Sequence, residues 1–296
     1  MEITLRDVAF ELDPARVPRD WVYGDAFQTT FVNALSLLFP EGEKFFVESV
    51  KKMQDRVTEP ALLRQVAGFI GQEAMHGREH RAFNELMVAH GYGAAPAVEA
   101  RLRGFLKRIR HVLTAKSQLA ITCALEHFTA LLGETLLRDR TLHANVDKAA
   151  LSLWLWHALE ETEHKAVAFD VYRAVGGGYV RRCTMMVLAT LGFFIALAIV
   201  HTRLLWARGI LFRPWRWARG LLRMWIWPGY LTRMIPAYLT YFRPRFHPDD
   251  RDASVLLATA QAELFGPEGA LAAIGEPKPT RARYARRDGG RGNLPR

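Results

Sequence analysis

Two stretches of this sequence each place a histidine three residues after a glutamate. IGQEAMHGREHRAFNE carries Glu73, His76, His80 and Asn84, and WHALEETEHKAVAFD carries His157, Glu160, Glu161, Glu163 and His164. At 100° per residue around an α-helix, His76, His80 and Asn84 fall at about −60°, −20° and +20° from Glu73. On the second stretch Glu161 and His164 fall at about +40° and −20° from His157, with Glu160 at the edge near −60° and Glu163 pointing away. A carboxylate and an imidazole one turn apart can share a metal ion or bridge to a second. Phe69, Ile70 and Phe83 flank one set, and Leu153, Trp154, Trp156 and Phe169 the other. Unpaired charge is costly in such surroundings, and a metal removes that cost. A two-metal site in a helical bundle needs one further glutamate from each of two more helices. FPEGEKFF offers Glu43, with Glu41 as its rival; ALEHFTALLGE offers Glu126, with Glu134 as its rival. Carboxylates and imidazoles suit iron first, and also manganese or zinc. Open positions on a pair of such ions allow dioxygen to bind, or a bridging water to ionise and attack.

The helices that must hold these groups are legible. Pro14 and Pro18 break the first 24 residues, which read as irregular or strand-like. From Asp25 the period is helical: a first helix over about 25–55, interrupted or restarted at Pro40. Thr58-Glu59-Pro60 starts a second that stops at Gly91. A third region, about 96–138, breaks near Thr114. Asn145 or Asp147 caps a fourth that ends at Gly176-Gly177-Gly178. Long helices with short connections predict an antiparallel bundle over residues 25–178. Residues 183–200 follow without a charge, close to the length that spans a bilayer. A hydrophobic extension over 179–248, a short helix within 249–275 and a basic, disordered tail over 276–296 complete the expected organisation.

The formal net charge is +10, but its placement argues against nucleic-acid binding. From Val171 to Pro248 there is no Asp or Glu, while twelve Arg and five Trp fall there. Alternation of Arg and Trp with aliphatic residues suits a lipid–water interface. Two cysteines, Cys123 and Cys183, exclude a disulfide scaffold. Cys123 reads as packing, His127 as a neighbour of Glu126 outside the ligand face, and His90 and His111 as surface residues. The N-terminus carries no basic-then-apolar leader. A cytoplasmic protein is expected, peripheral or integral on the inner face of the membrane. A homodimer is left open.

LSLLFPEGEKFF, FIGQEAMHGREHRAFN, LEHFTA and ALEETEHKAVAFDVY resemble the bacterial family named "predicted metal-dependent hydrolase", over roughly residues 20–265. That resemblance implies an all-α, ferritin-like bundle and a metal. A more distant similarity is to the di-iron arylamine N-oxygenases, whose His-x-x-x-Glu-x-x-His helix matches His157, Glu161 and His164. Together these resemblances imply Glu43, Glu73, His76, Glu126, His157, Glu161 and His164 as ligands. They leave His80, Asn84 and Glu160 as groups that orient the ligands. The leading expectation is a non-haem di-iron oxygenase or oxidase acting on a hydrophobic or lipid-like substrate. The alternative is a metal-dependent hydrolase that uses a metal-bridged hydroxide. A third reading is a non-enzymatic iron-binding or membrane-tethered structural bundle.

Overall fold

The computed structural model describes residues 3–272, and the tail over 276–296 lies outside the described residues. The chain is all-α: among the described residues there is no strand, and Val22 and Val146 form an isolated bridge. The strand-like reading of the first 24 residues is therefore corrected. This segment lies extended against the second helix, Ile3 over Gly68 and Leu5 over Gly71, where a Cβ would collide.

Helix α1 runs unbroken over Ala26–Gln54, with Asp25 accepting from the backbone N–H groups of Phe27 and Gln28. Pro40 sits inside it, so the expected break there does not occur. Proline gives up one hydrogen bond, and the tertiary packing of α1 outweighs that local loss. Helix α2, Pro60–Ala89, begins on its proline. Helix α3 spans Ala95–Val112, and Thr114 then caps α4, Ala115–Arg138, by accepting from Ser117 N–H. After the single turn α5, Arg140–His143, Asp147 caps α6, Lys148–His164. The expected fourth helix is two: it breaks at Lys165 and Ala166, and α7 continues over Val167–Ala174. Helix α8 spans Tyr179–Ala207, α9 Pro214–Trp225, α10 Tyr230–Thr240 and α11 Ser254–Phe265.

Helices α1, α2, α4 and α6 enclose a polar layer between two apolar clusters. One contains Phe31, Leu37, Phe83 and Leu153. The other contains Phe45, Phe69, Leu119 and Phe169. Gly133 lets α4 approach α6 closely, since a Cβ there would lie 2.9 Å from the Ala158 carbonyl oxygen. Helix α8 is long and apolar enough to cross a membrane by length and composition. One of its faces packs on α1 and α4, burying Met186, Ala189, Leu197, Val200 and Leu204. Its other face leaves Leu188, Leu191, Ile195 and Ile199 more than half exposed.

Candidate metal centre

The seven residues implied as ligands converge in the polar layer, and all are buried. Glu43 comes from α1, Glu73 and His76 from α2, Glu126 from α4, and His157, Glu161 and His164 from α6. Glu161 Oε1 lies nearest their midst: 2.9 Å from His157 Nε2, 3.4 Å from His76 Nδ1 and 3.6 Å from His164 Nε2. His164 Nε2 also lies 3.2 Å from Glu73 Oε1 and 3.4 Å from Glu126 Oε2, and His157 Nε2 lies 3.7 Å from Glu43 Oε1. Among the described residues, four overlapping triads hold ligand atoms within 4.8 Å of one another: Glu43/His80/His157, His76/His157/Glu161, Glu43/Glu73/His76 and Glu73/Glu161/His164.

The two choices left open by the sequence are separated by their partners. Glu41 turns outward to Arg103 at 2.8 Å, while Glu43 turns inward. Glu134 pairs with Arg251 at 2.7 Å and Lys165 at 3.5 Å, away from the cluster. Cys123 donates its thiol to the Ala168 carbonyl at 3.2 Å and belongs to the packing. His127 packs against Tyr241 and Phe246. His111 is exposed, and His90 is half-buried and bonded to the Pro14 carbonyl.

Each ring is held from behind, which fixes where its lone pair points. Asn84 Nδ2 donates to Glu99 Oε1 at 2.6 Å and to the Ser36 carbonyl, so its Oδ1 accepts the Ser36 hydroxyl at 2.8 Å. Ser36 Oγ then accepts from His80 Nδ1 at 2.9 Å, and His80 Nε2 accepts from His157 Nδ1 at 2.6 Å. This leaves His157 Nε2 a bare lone pair facing Glu161. Gln72 Nε2 donates to the Thr4 carbonyl and to Glu163, so Gln72 Oε1 accepts His164 Nδ1–H at 2.9 Å and His164 Nε2 faces the carboxylates. His76 Nε2 donates to Glu160 Oε2 at 3.0 Å, turning Nδ1 inward. Glu160 is in turn paired with Arg6 at 3.2 Å, and Arg6 forks onto Glu163 at 2.6 and 2.8 Å. Outer partners of this kind fix the tautomer of a metal-binding imidazole.

Three imidazole lone pairs thus meet carboxylate oxygens that also carry lone pairs, and positive charge must lie between them. Both oxygens of Glu43, Glu73 and Glu126, Glu161 Oε2, His76 Nδ1 and His164 Nε2 are buried without a hydrogen-bond partner. The residues present therefore fit a bound cation. Without one, burial and the neighbouring Glu73 push Glu43 well above the carboxylate range and Glu126 up to about 8. Burial opposes a charge on His76, yet Glu160 and Glu161 outweigh it and raise that ring to about 10. Protons stand in for the cation at these atoms.

Arg6, Ser36 and Gln72 escape the sequence reading. Their only signals are polar residues set in apolar runs, and no spacing ties them to the ligands.

Fold and site together define an all-α protein with a buried carboxylate–histidine cluster suited to metal. Residues 4–252 match the model of the family described as "Predicted metal-dependent hydrolase", and the chain belongs to that family. No curated protein and no solved structure matches the chain. The family match overturns the expectation of an oxygenase or oxidase and favours the hydrolytic alternative. The physical reason for the miss is that carboxylate and imidazole donors serve both oxygen-activating and hydrolytic centres, so ligand type does not discriminate between them. None of these comparisons carries the likeness to arylamine N-oxygenases.

Proposed function

We propose that this chain is a metal-dependent hydrolase whose Glu43, Glu73, His76, Glu126, His157, Glu161 and His164 hold two divalent cations. The observation that carries this reading is the convergence of three locked imidazole lone pairs on buried, unpartnered carboxylate oxygens. The donor set suits zinc, manganese and iron alike. A pair of such ions would supply a Lewis acid that polarises the carbonyl or phosphoryl oxygen and would lower the pKa of a bound water. The chain contributes orientation and dryness. Arg6, Gln72 and His80 hold Glu160 and the ring nitrogens in place from outside. Phe39, Phe69 and Trp156 pack edge-on against His157, His164 and His76 and keep bulk water from them. In the reaction, the water oxygen bonds to the carbonyl or phosphoryl centre and the bond to the leaving atom breaks. One water proton passes to the leaving atom. Elemental analysis of protein purified without chelator, beside Glu126→Ala, tests the metal reading, with about two ions per chain expected in the wild type and clearly fewer in the variant. Ester turnover that persists without dioxygen and stops with a chelator is expected; a metal-loaded protein that hydrolyses no ester, amide or phosphoester refutes the activity.

We infer further that the chain works against an anionic membrane surface. Trp215, Trp227, Phe212, Ile226 and Trp206 are each 66% or more exposed around α9. Arg213, Arg216 and Arg233 are exposed with no acidic partner among the described residues. Exposed tryptophan with unpaired arginine suits headgroup depth and anionic lipid. Co-sedimentation with phosphatidylglycerol vesicles, weakened by salt and by Trp215→Ala with Trp227→Ala, is the expected result; equal binding to neutral vesicles refutes the electrostatic part.

A further inference from the structure

A cavity of about 350 Å³ lies between α1, α3, α4 and α8. Its wall is almost wholly apolar, built from residues such as Phe46, Leu106, Ile121 and Met185. Glu43 and Glu161 close its inner end, while Phe105 and Leu188, each more than half exposed, lie at its outer end. Its size falls within the range of small-molecule sites, roughly 300–1,000 Å³. Two glycines line it inside helices, Gly42 on α1 and Gly192 on α8, and a Cβ added at either meets nothing within 4 Å. Glycine inside a helix is less stable than alanine, which loses less backbone freedom on folding. No close packing requires glycine at these positions, and the missing side chains keep the cavity wide.

A second cavity, of about 50 Å³, shares Phe39, Thr129 and Glu161 with the first and is lined further by Trp154 and His157. The reactive end is thus deep, with a large apolar space on one side and a small one on the other. An apolar chain lying in the larger space with its reactive group at Glu43 and Glu161 would trail toward α8.

We propose that the large cavity holds the chain of a single-chain acyl ester or amide, with its carbonyl at the Glu43/Glu161 end and a small leaving group in the lesser cavity. This substrate class rests on the hydrolase reading. Hydrolysis forms a bond from the water oxygen to the acyl carbon and breaks the bond from that carbon to the leaving oxygen or nitrogen. The leaving atom takes one water proton, and the products are a fatty acid and a small alcohol or amine. A glycerolipid with two chains and a large headgroup fits neither cavity.

The test is displacement of an apolar fluorophore from metal-loaded wild-type protein by straight-chain methyl esters, read beside their hydrolysis. Each added methylene is expected to tighten binding roughly fourfold until the cavity is full, after which affinity levels off. Gly192→Phe, whose Cβ meets nothing within 4 Å and whose ring would occupy the cavity, is expected to weaken the long esters at least about tenfold, as loss of a few buried methylenes implies. Val255→Phe, at an exposed position of α11, serves as the unchanged control. Chain-length-dependent binding with no hydrolysis of any ester sinks the hydrolase reading and leaves the chain site standing. Hydrolysis with no dependence on chain length sinks the chain site and leaves the hydrolase. Folded Gly192→Phe that binds long esters like wild type also overturns the proposal. If that variant does not fold, the wild-type chain-length series decides alone, and tight binding of dioleoylphosphatidylcholine overturns the single-chain preference.

Discussion

Replacing Glu126 by glutamine should stabilise the protein without metal and weaken it with metal. In the absence of a cation, burial first and Glu73 second raise the Glu126 carboxyl from 4.5 to about 8. In the unfolded chain the group ionises near 4.5, whereas in the folded chain it keeps its proton to about 8. The unfolded state therefore binds fewer protons between those values, and folding stability falls as pH rises through that window. At pH 7 the gap is about 2.5 units at 1.36 kcal/mol each, or about 3 kcal/mol. Glutamine has nearly the same shape and never ionises in either state, so Glu126→Gln removes that cost. The metal-free variant should melt on the order of 5–10 °C higher at pH 7, with the gain vanishing near pH 4.5. With metal bound the sign reverses, because the variant has lost a charged donor. Calorimetry on chelated and reconstituted samples at several pH values checks both signs. A variant that is destabilised without metal, or stabilised equally in both states, refutes the reasoning.

Other expectations follow from the groups behind the ligands. Gln72→Leu leaves His164 Nδ1–H without its acceptor and should lower metal affinity by roughly 10–100-fold while the fold persists, as competition with a chelating dye would report. Arg6→Met strands Glu160 and Glu163 without their buried cation and should cost about 3–5 kcal/mol by denaturant unfolding; a loss below about 1 kcal/mol would contradict the buried pairing. His247 donates to Asp170 at 2.9 Å, and that bond raises its pKa. A raised histidine stabilises fully below its unfolded value near 6.5 and loses the contribution as pH rises through the folded value. The site is half open, so the effect should stay below about 1 kcal/mol, and it should disappear from the pH profile of His247→Ala.

The parts of the fold that were legible are those set by short-range periodicity. Glu73, His76 and His80 share a face because 3.6 residues make a turn, and Thr114 and Asp147 cap helices where capping chemistry places them. Pro40 misled because a local penalty was read without the tertiary packing that outweighs it. Glu41 and Glu43 lie about 200° apart on α1, and the choice between them depends on Arg103 of α3, which no spacing reveals. Arg6 and Gln72 were out of reach for the same reason: the α6 groups they hold, Glu160, Glu163 and His164, lie about ninety or more residues away along the chain. The reaction was misread because one donor set serves two chemistries. The bilayer question about residues 183–200 took a form that composition could not express, since α8 packs one face on the bundle and leaves the other exposed.

Arg6 reaches Glu160 and Glu163 across 154 and 157 residues of chain. The strap that carries Arg6 therefore leaves the ribosome before α6 does, and its Arg6 contacts are among the last that can form. Until α6 has been synthesised, Arg6 has no acid to meet, and Gly68 and Gly71 offer Ile3 and Leu5 an open track on α2. Closing so long a loop is slow, because its entropy is lost before the contact forms. A folding chain can thus bring together the four helices that carry the candidate ligands while the brace behind His76 is still missing, which makes Arg6 a late fastener on that cluster.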